Sequence, residues 1–169
     1  MRNDLPLVAR LRAVYGGSVS RIDLYDANAS RQRADSTRYT NRFLMKVDGR
    51  RIQVYFGEEL ACIRLSGNFD GPIFTVNAPD YFGRTKNAGK VQIGPDRLIL
   101  FSPDGNITDI QKRILDSKEM RTLVAFHSFR KGEAIHLYRN GLCLYLRNED
   151  VNAALIRMLN AVAIAVASA

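Results

Sequence analysis

Tryptophan is absent from this chain of 169 residues, and histidine and cysteine occur twice each. A structural zinc site draws on about four clustered Cys or His ligands, and a disulfide framework needs several cysteines at close spacing in a short chain. Cys62 and Cys143 suit neither. Each sits in an apolar, strand-like run, where a cysteine behaves as a small buried hydrophobe, so both are expected as reduced, metal-free thiols in a cytoplasmic setting. His127 and His136 have no second His, Cys, Asp or Glu at a ligand spacing such as HxxxH. Neither Ser102 nor Ser128 lies in a GxSxG elbow. Gly67, Gly71, Gly83, Gly89 and Gly94 match neither the P-loop nor GxGxxG and read as turn residues. No run of about 20 apolar residues could span a bilayer, and residues 1–15 lack the apolar stretch of a signal peptide. These gaps point away from metal, nucleotide and serine-hydrolase chemistry. No cofactor is expected, and an enzyme ranks third among the functional readings.

Apolar residues make up 46% and charged residues 25% of the chain, a globular balance with material for one core. The length suits a single domain over residues 1–169. The formal net charge is +8, and it is unevenly placed. Residues 1–57 hold 11 basic and 5 acidic groups, +6, whereas residues 58–169 hold 14 and 12, +2. Arg supplies 19 of the 25 basic residues. That bias follows from GC-rich coding as readily as from recognition of phosphate or carboxylate by the planar guanidinium.

Leu7, Val8, Leu11, Val14 and Tyr15 form one helical stripe, with Pro6 in the first turn and Gly16-Gly17 as the stop. Residues 18–25 read as a strand and 26–42 as a basic surface loop. Phe43, Met45 and Val47 alternate up to Asp48-Gly49, and Ile52, Val54 and Phe56 alternate after it, a hairpin. Strands follow at 60–66 and 73–77, then a loop over 78–96 and a short strand at 98–101. Thr108 caps a helix carrying Ile110, Ile114 and Leu115. A second helical stretch carries Met120, Leu123, Val124 and Phe126. Residues 134–147 read as a hairpin turning at Asn140-Gly141 through a type I′ turn, both residues at positive φ. A final helix starts near Asn148 or Asp150, where Glu149-Asp150 complements the helix dipole. It is apolar almost all round.

Two surfaces stand out. Arg31, Arg33, Arg38 and Arg42, with Tyr39 among them and Arg50 and Arg51 in the nearby hairpin, form a candidate anion site. Arginines interleaved with an aromatic can hold phosphates and stack bases, though a solvated basic loop has the same composition. The partner classes are nucleic acid, acidic protein or a membrane surface. On the last helix, Leu155, Leu159, Val162 and Val166 are candidate contacts of a homo-oligomer, because one sheet covers only one broad helix face.

The run RLILFSPDGNITDIQKRIL, followed by EMRTLVAF and EAIHLYRNGLCLYLRNED, resembles an uncharacterised bacterial family of α+β domains often attached to membrane-spanning segments. Those domains share the strand ending in Ser, the Asp turn, the helix and the closing hairpin. The resemblance covers residues 97–147, about a third of the chain, and the membrane-spanning segments are missing here. It implies a bacterial or phage origin and a binding role, and no functional residue transfers with it. The fold class expected is α+β: an N-terminal helix, a mostly antiparallel sheet, two central helices and a long apolar C-terminal helix packed on the sheet. The first functional reading is a non-enzymatic binding domain for an anionic or protein partner. The alternative is a nucleic-acid-binding protein that uses the Arg-rich N-terminal half.

Overall fold

In the computed structural model of the chain, residues 6–21, 39–69, 74–77, 88–93, 96–101, 107–130 and 132–168 are described. Helix α1 (Pro6–Tyr15) buries Leu7, Val8 and Leu11 along the stripe read from the sequence. It stops at Gly16 and Gly17, both at positive φ. Gly17 also has to be glycine for space, since a Cβ there would collide with the Leu44 carbonyl oxygen.

Among the described residues, nine strands form one sheet with every pairing antiparallel. They are β1 (Ser18–Arg21), β2 (Asn41–Val47), β3 (Arg50–Phe56), β4 (Leu60–Ser66), β5 (Phe74–Asn77), β6 (Ala88–Ile93), β7 (Asp96–Phe101), β8 (Ala134–Tyr138) and β9 (Gly141–Arg147). Their order is β1-β2-β3-β4-β9-β8-β5-β7-β6. The first four form a meander, and β9 then joins β4 although the two are far apart in sequence. Two loop readings are corrected by this sheet. The basic loop ends before Asn41, so Arg42 is a strand residue. The stretch read as a loop over 78–96 contains β6, whose sequence AGKVQI shows too little apolar alternation to read as a strand.

The β2–β3 turn places Asp48 at φ 50° and Gly49 at φ 76°, the type I′ geometry expected of Asp-Gly. The β8–β9 hairpin corrects the expectation for its turn. Tyr138 pairs with Gly141, so the turn residues are Arg139 and Asn140, and neither Asn140 nor Gly141 is among the residues at positive φ. Tertiary hydrogen bonds select this register. Gly67 N–H donates to the Asn140 carbonyl at 3.3 Å and Phe69 N–H to the Arg139 carbonyl at 2.8 Å. Gly141 is a strand residue instead, and a Cβ on it would sit 3.1 Å from the Leu65 carbonyl oxygen.

Helices α2 (Asp109–Leu115), α3 (Lys118–Phe126) and α4 (Ala153–Ala167) are the other helices among the described residues. Thr108 and Gln111 close a reciprocal capping box on α2, satisfying two orphan donors of its first turn. The last helix begins later than Asn148 or Asp150. Asn152 caps it, accepting from Leu155 N–H at 3.0 Å, and residues 148–150 form a separate 3-10 turn. Arg10 ties α1 to this junction through the Asn148 and Val151 carbonyls, both at 3.1 Å.

Leu155, Leu159 and Val162 have no exposed surface and Val166 only 4%. The oligomer contact expected of these four residues is therefore corrected: they belong to the protein's own core. Helix α4 packs against α3, α1 and β4, so it is covered on more than one side, and that accounts for its apolar circumference. Ile164 is its one large apolar side chain left exposed. The core joins these helices to one face of the sheet, where Phe43, Ile52, Val54, Ile63, Leu65, Ile135 and Leu144 are fully buried.

Candidate anion-binding face

Successive side chains of a strand point to opposite faces, so the residues between those core positions define the second face of the sheet. The registers align them in rows. One row runs Leu44, Gln53, Arg64, Cys143, His136 across β2, β3, β4, β9 and β8. The next runs Arg42, Tyr55, Cys62, Tyr145, Ala134. At one end Lys46 is directly opposite Arg51, and Ser66, Gly141 and Tyr138 are aligned; at the other end Leu60 is opposite Arg147.

The centre of this face is a small second core of Tyr39, Cys62, Cys143 and Tyr145, with Tyr55, Leu60 and Tyr138 packed against it. Both thiols are free and buried. A hydrogen bond with Cys143, then burial, holds the Cys62 thiol well above its usual range, which keeps it protonated and unreactive. Burial lowers His136 to a pKa of about 4, so its imidazole is neutral near pH 7. Its ring stacks on Tyr138 at 5.7 Å and meets Tyr145 edge-on at 4.9 Å. Burial, followed by the neighbouring Cys62, raises the Tyr145 phenol. Tyr55 is half-buried and its hydroxyl donates to Gln53 Oε1 at 2.6 Å.

Around this centre stand Arg42, Lys46, Arg51, Arg64 and Arg147. None of the second-face positions on β1–β4, β8 and β9 holds Asp or Glu. Lys46, Arg51 and Arg147 are exposed, and Arg42 and Arg64 half-buried. Arg64 passes Gly141, its Nε 3.5 Å from where a Cβ on that glycine would sit, an ordinary contact distance. The opposition of Lys46 and Arg51 is unfavourable in isolation, because like charges directly across a strand pair destabilise it. The carboxylate of the intervening turn is engaged elsewhere: Asp48 accepts from Asn160 Nδ2 on α4 at 3.4 Å.

Of the arginines singled out in the sequence, Arg42 and Arg51 fall on this face. Arg50 does not: its guanidinium lies 6.0 Å over the Phe69 ring and donates to the Ser66 carbonyl. Arg31, Arg33 and Arg38 lie outside the described residues. Sequence reading missed Lys46, Arg64, Arg147, Tyr55 and Tyr138. The available signal was strand parity: Arg64 falls between buried Ile63 and Leu65, and Tyr55 between Val54 and Phe56.

A second polar cluster lies at the C-terminal end of α3. His127 Nε2 is 2.9 Å from Glu133 Oε2, which also accepts from Arg130 N–H at 2.9 Å. Arg130 reaches on to Glu149 and Asp150, so that acidic pair binds a guanidinium, while the side-chain cap of α4 is Asn152. Burial pushes the Glu133 carboxyl up, but the hydrogen bonds from His127 and Arg130 and their charges outweigh it, and its pKa is lowered. Among the described residues, no group of three or more His, Cys, Asp or Glu side chains is placed to hold a metal ion. No described helix is long and apolar enough to cross a membrane.

No family model matches the chain, and no curated protein matches it. Among solved structures, the chain is similar in fold to the mycobacterial trehalose monomycolate transport factor A, TtfA. The TM-score is 0.64 at 16% identity, over 98% of this chain and 97% of that one.

Proposed function

We propose that the protein is a non-enzymatic binding domain whose second sheet face takes an anionic partner, in a reducing, cytoplasmic setting where Cys62 and Cys143 stay thiols. The observation that carries this reading is the basic face, without a carboxylate at its described strand positions and with Lys46 and Arg51 directly opposed and exposed at its rim. An anion bridging that pair turns an unfavourable opposition into a favourable contact. The resemblance of residues 97–147 to an uncharacterised family of α+β domains, which implies a binding role more than an enzyme, supports the same reading.

Heparin chromatography tests it. The wild type is expected to be retained, and a Lys46→Glu/Arg51→Glu variant to elute at lower salt, because each lost contact removes released counterions from the driving force. Lys112→Glu/Arg113→Glu is the charge-matched control, two exposed cations on α2. Equal losses in the two variants would mean that only net charge matters, and absence of wild-type retention would overturn the proposal.

A further inference from the structure

We infer that the occupant of this face is a single-stranded nucleic acid, with Tyr55 and Tyr138 stacking bases while Lys46, Arg51, Arg64 and Arg147 contact phosphates. The inference rests on the anionic-partner reading and narrows it to one class of polymer. Charge complementarity is the first argument: four strands contribute cations to one face without a carboxylate at its strand positions.

The second argument is the interleaving of rings with those cations. Tyr55 and Tyr138 are half-buried, each keeping part of its surface open, and occupy opposite quarters of the face, three strands and two same-face positions apart. Strands lie ~4.8 Å apart and same-face residues ~6.7 Å along a strand, so the two rings are about 20 Å apart. Several nucleotides cover that span. Each ring is oriented by a neighbour, Tyr55 through its hydroxyl to Gln53 and Tyr138 by stacking on His136. His136 is neutral near pH 7, so it adds no charge to the face. An oriented aromatic among arginines is the arrangement by which sheet surfaces hold unpaired bases, and every base has a face to stack. A duplex fits less well, because a broad sheet face offers no narrow element for the major groove. An acidic protein would satisfy the cations but carries no planar base to stack on the two rings.

The absence of tryptophan provides a site-specific probe: Tyr55→Trp makes the only indole in the protein. Three ligands are compared by fluorescence anisotropy at low salt: an oligothymidylate of roughly ten nucleotides, an abasic deoxyribose-phosphate chain of the same length, and polyglutamate. The oligonucleotide is expected to bind at least ~10-fold more tightly than the abasic chain, and to quench the emission of the introduced indole. Its affinity should fall with salt at a logarithmic slope of about −0.7 per phosphate contact, near −3 for four contacts. Tyr55→Leu keeps the apolar bulk and removes the π-face. It should weaken oligonucleotide binding ~5- to 100-fold and leave abasic binding unchanged. Equal binding of oligonucleotide and abasic chain, without quenching, overturns the inference and leaves the anionic-partner reading standing. Binding of polyglutamate alone overturns it in favour of an acidic protein. Binding of none of the three overturns both.

Discussion

Removing the charge of Glu133 tests how the buried cluster beside α3 is held. The carboxylate is 2% exposed, yet only Oε2 is partnered, by His127 and the Arg130 N–H, while Oε1 is buried without a hydrogen bond. With the carboxylate ionised, the His127 nitrogen facing it carries the proton and donates. Hydrogen bonds to a charged group contribute about 1.5–3 kcal/mol and neutral ones about half that. Glu133→Gln keeps an acceptor for both donors and loses the charge, so over two bonds it should destabilise by about 2 kcal/mol near neutral pH. His127→Ala leaves a buried carboxylate with one donor and should cost more, about 3–5 kcal/mol. Urea unfolding of the wild type and both variants at several pH values is the assay. The sign of the pH dependence is fixed by the lowered Glu133 pKa. The unfolded chain takes up this proton near the ordinary value of 4.5, and the folded protein takes it up only at lower pH. The stability contributed by the charge is therefore fully present above that value and is lost as pH falls through the folded pKa. The gap between wild type and Glu133→Gln should narrow on acidification. A gap that is constant, or that widens below the ordinary carboxylate pKa, would show that burial wins over the hydrogen bonds and refute the reasoning.

Two further outcomes follow from burial. Leu159→Ala should destabilise by about 2–5 kcal/mol, as for other fully buried leucines, and leave the mass measured by light scattering unchanged; a change in oligomeric state at wild-type stability would restore an interface role for α4. The thiols of Cys62 and Cys143, buried and free, should be silent to Ellman's reagent in the native protein and both react in denaturant. Rapid reaction of either in the native state would mean that the tyrosine-lined centre opens.

Periodicity, capping and turn chemistry are local, and they made much of the fold legible. The stripe of α1, the Asp48-Gly49 turn, the strand at 60–66 and the Thr108 cap follow from residues within a few positions of one another. So does the α+β class, because helical and alternating runs are both plain in the sequence. What the tertiary structure decided depends on pairings between distant segments. Joining β4 to β9 aligns Arg64 with Cys143 and Arg147 with Leu60, and so assembles the basic face from strands far apart in sequence. The cluster of arginines near the N-terminus was visible as composition, but strand parity sends Arg51 to that face and leaves Arg50 over Phe69. The β8–β9 turn moved off Asn140-Gly141 because Gly67 and Phe69 bind its carbonyls, a tertiary contact that outweighs a dipeptide's turn preference. Likewise α4 is apolar on several sides because α3, α1 and β4 cover it, and an apolar helix on its own does not reveal whether its neighbours come from the same chain or another.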